Sequence, residues 1–143
     1  MIIVDTNVLS EPLKADANPA ITAWLDRQAL DTLYLTTVNR AELLLGIELM
    51  PLGLRRSRLE ARISEIVSAF SERRTLAFDT RAARYFALLV SRARGAGQTI
   101  GVADGQIAAI AAAHGYTVAT RDTAPFITAG VPVIDPWNLG PED

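Results

Sequence analysis

Four acidic residues, Asp5, Glu42, Asp104 and Asp122, recur along this chain at places where strands give way to turns and helices. Asp5 closes the apolar run Ile2-Ile3-Val4, and Asp122 follows a second apolar run after Thr120-Arg121. Glu42 falls in the first turns of a predicted helix that succeeds a strand, and Asp104 opens another after Gly101-Val102-Ala103. Carboxylates gathered in one crevice repel one another strongly at low dielectric, so they must take up protons or a cation. A hard divalent ion relieves that repulsion, and an oxygen-only ligand set favours Mg²⁺ or Mn²⁺ over zinc. Asn7, two residues after Asp5, adds a neutral oxygen or orients a water.

Taken singly, each acid has an ordinary structural role. Asp5 and Asp104 suit helix caps or turns, and Glu42 suits a solvated helix face. Asp79 precedes Thr80 and a helix, so capping accounts for it, and Asp135-Pro136 is a turn pair. It is the common placement of the four that points to a cation. Other chemistries lack residues. There is no cysteine, and the one histidine, His114, sits at a predicted helix C-terminus, where a positive charge complements the helix dipole. No nucleophile elbow, phosphate loop or dinucleotide fingerprint is present. A phosphatase of the haloacid-dehalogenase type wants a second Asp two residues after the first, where this chain has Asn7.

The elements that must position these acids alternate. Strands are predicted at 2–4, 32–36, 75–78, 116–119 and 131–134. Between them lie helices from Asn18-Pro19, over 39–50, over 55–70, from Thr80 to Gly95, and from Asp104 to His114-Gly115. Thr80 is taken as the cap of its helix, and Gly115 as a C-terminal stop. Leu59, Ile63, Ile66, Val67 and Phe70 give the 55–70 helix its apolar face, with Arg55, Arg58 and Arg62 on another. Such alternation predicts an α/β fold, a mostly parallel sheet covered by helices on both faces, whose ligands bind beyond the carboxyl ends of the strands. With 143 residues, half of them hydrophobic, one domain spanning 1–143 is expected. No stretch approaches the ~20 apolar residues that cross a bilayer, and a soluble, cytoplasmic protein is expected. Net charge is −2, which provides no bulk basic field for nucleic acid. Yet of 14 basic residues only Lys14 is lysine; the rest are arginine, the better bidentate phosphate donor.

Five segments then carry a resemblance. They are Val4-Asp5-Thr6-Asn7-Val8-Leu9-Ser10-Glu11-Pro12, Ala41-Glu42-Leu43-Leu44-Leu45-Gly46, Ala103-Asp104-Gly105-Gln106-Ile107-Ala108-Ala109, Ala119-Thr120-Arg121-Asp122-Thr123, and Val131-Pro132-Val133-Ile134-Asp135-Pro136-Trp137. In this order the chain resembles the PIN-domain ribonucleases, and among them the VapC toxins of bacterial toxin–antitoxin pairs, most nearly the FitB-like branch. The resemblance implies a PIN fold with a central sheet of about five strands. It carries a metal-site role onto Asp5, Glu42, Asp104 and Asp122, with Thr6, Asn7 and Thr120 in support. Many relatives have Asn at position 122 and a further Asp at 125, where this chain has Asp122 and Pro125, and Asn39 stands where relatives often carry Ser or Thr.

The activity so implied is hydrolysis of RNA phosphodiester bonds with one or two Mg²⁺ or Mn²⁺ ions, Asp5 and Asp104 being the first candidates for direct ligands and Glu42 and Asp122 acting directly or through waters. Arg40, Arg81, Arg84 and Arg121 are candidate phosphate contacts. The partners implied are an RNA substrate, a small VapB- or FitA-like antitoxin that reaches operator DNA on the toxin's behalf, and a second copy of the chain. A catalytically silent PIN module that binds RNA or antitoxin is the alternative.

Overall fold

The computed structural model describes residues 1–140; the last three residues of the domain expected over 1–143 lie outside the described ones. Five strands form one parallel sheet in the order β3-β2-β1-β4-β5, with β1 at Ile2–Val4, β2 at Leu33–Thr36, β3 at Thr75–Leu76, β4 at Thr117–Ala119 and β5 at Val133–Ile134. Among the described residues seven α-helices connect or cover them: α1 (Thr6–Ser10), α2 (Pro19–Arg27), α3 (Thr37–Glu48), α4 (Leu54–Ala69), α5 (Thr80–Gly95), α6 (Val102–His114) and α7 (Ala124–Thr128).

From β1 the chain steps outward through β2 to β3, then returns to the other side of β1 for β4 and β5. Crossovers between parallel strands are right-handed, so reversing the direction of travel reverses the face on which the helices lie. The core divides accordingly. Val4, Leu33, Leu35 and Ala119 meet α1 to α4 on one face through Val8, Ile21, Trp24, Leu43, Ile47 and Ile63. Ile3 and Val118 meet α5 to α7 on the other through Leu89, Ile107, Ala108, Ala111 and Phe126. Adjacent residues of β1 and β4 thus feed opposite cores, as the two-residue period of a strand requires.

The alanines of α6 allow a close approach to α5. At Gly105 a β-carbon would lie 2.9 Å from Cε2 of Phe86, so only glycine fits there without displacing the ring.

The outline matches the sequence reading, with local corrections. The helix at Thr6–Ser10 was not expected; it is one turn and a half, too short to show a hydrophobic period. Helix α7 is equally short and equally unannounced. Helix α3 starts at Thr37, not Asn39, because Thr36 is its cap and Asn39 is the third residue that completes a reciprocal capping box. Asp79, not Thr80, caps α5: its carboxylate accepts from Ala82 N at 2.9 Å. Strands β3 and β5 pair over two residues each. Asn18 does cap α2, and Gly115 ends α6 at φ +68°, the left-handed conformation that glycine adopts without strain.

Candidate active site

The strand order reverses at β1, and β1 and β4 lie side by side there. Just beyond their carboxyl ends, at the position where ligands bind in open parallel sheets, the chain opens a pocket of about 490 Å³. Its lining is Asp5, Thr6, Asn7, Ser10, Glu42, Asp104 and Asp122. The four acids named from the sequence therefore do converge, and Thr6 and Asn7 stand among them.

Asp5 is the anchor. It leaves β1 in an extended conformation and caps α1, its Oδ1 accepting from Thr6 N at 2.8 Å. Asn39 Nδ2 donates to the same oxygen at 3.0 Å. Oδ2 accepts from the Thr120 hydroxyl at 2.7 Å and from Asn7 Nδ2 at 3.3 Å. Four donors fill roughly the four lone-pair positions that a carboxylate offers. Asp5 is only 7 % exposed. Burial pushes its pKa above the usual range, and the Asp122 charge adds to that, while Thr120, Thr6 and Asn39 pull the other way.

Glu42 is held from the α1 side, since the Thr6 hydroxyl donates to its Oε2 at 2.7 Å. Thr120 is fully buried between two tasks: its hydroxyl donates to Asp5 and accepts from Asp122 N at 3.1 Å. Asn7 spans the gap between β1 and β4, donating to Thr120 Oγ1 at 3.1 Å and accepting from Arg121 N at 3.2 Å. The three supporting residues inferred from the sequence are all tied into this network.

Asp104 differs. Half-buried on the first turn of α6, it has its pKa raised by burial first and then by the charges of Asp5, Asp122 and Glu42. The charges of the other three thus all reach Asp104 across the pocket, and that of Asp122 reaches Asp5 as well. Among the described residues no three of them are drawn tightly enough to cage an ion by themselves. The donor set is oxygen throughout, the kind that hard divalent cations such as Mg²⁺ prefer.

A PIN-domain family model matches residues 2–130. The chain belongs to the PIN-domain family.

Its relatives cover it nearly end to end. It is 47 % identical over 138 residues to the VapC ribonuclease Y4jK of Sinorhizobium fredii, with 96 % of this chain and 99 % of that one aligned. To toxin FitB of Neisseria gonorrhoeae it is 42 % identical over the same shares. Among solved structures it is similar to FitAB bound to an IR36 DNA fragment, with a TM-score of 0.93, 42 % identity and 98 % of each chain covered.

Two residues of this PIN domain's pocket region escaped the sequence reading. Ser10 lines the pocket, its hydroxyl donating to Thr6 O at 2.6 Å. Asn39, treated from the sequence as a neutral replacement, is fully buried and bonded to Asp5; the spacing Thr36-x-x-Asn39 was the signal that could have found it. The four arginines put forward as phosphate contacts are exposed and none lines the pocket. Arg121 comes nearest, joined to it through its backbone, while its guanidinium lies over the Trp137 ring, 5.3 Å from the centroid.

Proposed function

We propose that this PIN domain is a Mg²⁺- or Mn²⁺-dependent endoribonuclease and the toxin of a toxin–antitoxin pair. The observation that carries this reading is the shared pocket of Asp5, Glu42, Asp104 and Asp122, in which the charges of the other three raise the proton affinity of Asp104. The names of its close relatives, a VapC ribonuclease and a toxin, support the substrate and the role.

In this reading Asp5 and Asp104 bind the cation directly, and Glu42 and Asp122 bind it directly or through water. When bound, the ion supplies Lewis acidity toward the scissile phosphate and its attacking water. The chain's own residues do the positioning. Thr6 N and Thr120 each anchor one oxygen of Asp5 and so fix the plane of its carboxylate, Thr6 fixes Glu42, and Asn7 is the longest of the contacts on Asp5, hence the one that yields to a cation. No carboxylate attacks phosphorus. Arg121, tied to the pocket by its backbone N–H on Asn7, is the arginine this reading assigns to an RNA phosphate, its guanidinium leaving the Trp137 ring to do so.

The protein acts in the cytoplasm as a homodimer held by an antitoxin, through which operator DNA is reached. No helix among the described residues is long and apolar enough to cross a membrane. Most apolar residues of α2 and α4 are used internally: Trp24 and Ile63 are buried, and Leu59, Ile66 and Val67 pack on the core. The turn from α3 into α4 nevertheless exposes Leu45, Leu49, Leu52 and Leu54, a patch that supports a partner surface. A groove lined by Leu13, Met50, Leu54, Arg55, Arg58, Leu59 and Arg62 runs beside it and suits an amphipathic, acidic segment of an antitoxin.

The test is cleavage of structured RNAs by the wild type and by Asp5→Asn, each with Mg²⁺, with Mn²⁺ and with chelator. Cleavage confined to the wild type with metal supports the reading. Equal cleavage by both proteins would sink the role of Asp5, and none by either would favour a silent binding module.

A further inference from the structure

Asn39 is fully buried, and its side chain is used at both ends. Oδ1 accepts from the Thr36 hydroxyl at 2.6 Å and from Thr36 N at 3.3 Å, while Asn39 N donates back to Thr36 Oγ1 at 3.0 Å. That is the capping box of α3, and it requires only the acceptor end of the third residue. The donor end is not needed by the helix. It is aimed instead at β1, with Nδ2 3.0 Å from Asp5 Oδ1 and 3.4 Å from Thr6 Oγ1. Because Thr6 Oγ1 accepts there, its own proton is directed to Glu42 Oε2, 2.7 Å away.

Asp5 and Glu42 come from different elements, Asp5 from the end of β1 and Glu42 from α3, the helix after β2. Among the described residues, the side-chain hydrogen bonds that join these two parts of the site run through Asn39 and Thr6. On the other side of Asp5 the corresponding links to β4 are made by Thr120 and Asn7.

We propose that Asn39 is a positioning residue, its amide setting Asp5 and, through the Thr6 hydroxyl, Glu42 in one fixed arrangement for cation binding. The proposal rests on the metal-dependent nuclease reading and deepens it. A Ser or Thr at this third position of the capping box would leave the longer reach to Asp5 unmade.

Asn39→Asp separates the two tasks. It keeps an oxygen acceptor for Thr36 and replaces the donor facing Asp5 with a carboxylate oxygen. Asn39→Ser adds no charge and removes the reach, which covers the case in which Asn39→Asp fails to fold. Asp79→Ala serves as the structural control, since it removes the cap of a different helix and Asp79 does not line the pocket. Each protein is tested for RNA cleavage against Mg²⁺ concentration, and for the Tm with and without Mg²⁺.

The Asn39 variants are expected to need more Mg²⁺ for half-maximal cleavage and to lose roughly 10- to 100-fold in rate, the usual effect of removing a residue that orients a metal ligand. They should also lose much of the Tm rise that Mg²⁺ gives the wild type. Asp79→Ala should lower the Tm with its Mg²⁺ dependence unchanged. Folded Asn39 variants with wild-type Mg²⁺ dependence would overturn the proposal, as would an equal change in Asp79→Ala. If the wild type cleaves no RNA yet is stabilised by Mg²⁺, the nuclease reading fails while Asn39 is still judged by the Tm shift. A wild type that neither cleaves nor responds to Mg²⁺ overturns both.

Discussion

Gly105 and Phe86 stand so close that a β-carbon on the glycine would meet Cε2 of the ring at 2.9 Å. The glycine immediately follows Asp104, so this contact sets how near α5 the acid-bearing turn of α6 can lie. On helix propensity alone Gly105→Ala would gain about 1 kcal/mol. The expected result is the reverse, a loss of about 1–3 kcal/mol from overpacking, because Phe86 is also held edge-on to Phe78. Urea unfolding measures it, and the same variant should cleave RNA less well although every carboxylate is intact. A more stable, fully active Gly105→Ala would show that the ring gives way freely.

Asp104→Asn should stabilise the metal-free protein while abolishing cleavage. The folded protein binds a proton at Asp104 more tightly than the unfolded chain does, through burial and then through the charges of Asp5, Asp122 and Glu42. A raised folded pKa means that stability is greatest below the ordinary value of 3.8 and is lost as pH rises through the folded value. At neutral pH the wild type carries that penalty and Asp104→Asn does not. The gain is a modest rise in Tm, about 2–4 °C, since the group is half-exposed and screened. It should shrink as the pH falls toward 4 and vanish when Mg²⁺ saturates the wild type.

Glu11 predicts a slope of the opposite sign. Its Oε2 accepts from Lys14 Nζ at 2.7 Å and its Oε1 from Asn18 N at 3.0 Å, and these bonds, with the Lys14 and Arg121 charges, hold its carboxyl below the usual range. Stability from Glu11 is present above 4.5 and is lost as pH falls through the lower folded value. Glu11→Gln should therefore flatten acid unfolding at its low-pH end. It should also speed proteolysis of the loop that leads into α2, and an unchanged digestion pattern would count against this tie.

Asp122→Asn should be the mildest of the four acid substitutions. Asp122 is exposed, and it acts on Asp5 and Asp104 through its charge. Expected is a rise in the Mg²⁺ needed for half-maximal cleavage with little change in the saturated rate, the pattern of lost ground-state binding. A collapse of the saturated rate comparable to Asp5→Asn would place Asp122 at the reacting atoms instead.

Much of this was legible beforehand. Apolar runs ending in Asp5 and before Thr120 marked the two central strands, because strands buried on both faces read as unbroken hydrophobic stretches. The four acids were found by their common place after strands. The short elements were not legible: Thr6–Ser10 has a helix start but no room for a period, and β3 and β5 hold two residues each. By residue type alone Asn39 reads as a substitute for a hydroxyl. Only its reach in three dimensions, from the α3 cap to Asp5, gave it a second task. The Gly105–Phe86 approach joins two helices whose register no sequence spacing could supply.

The hydrogen bond between Thr120 and Asp5 joins residues 115 positions apart. A ribosome makes Asp5 long before Thr120, and β1 must wait for β4 as its second neighbour. Contacts so distant along the chain are slow to form. A nascent chain thus carries no assembled acidic pocket until β4 and Asp122 have been translated, and any fragment that stops before β4 lacks one altogether. In this topology the order of synthesis itself delays the moment at which the four acids can share one pocket.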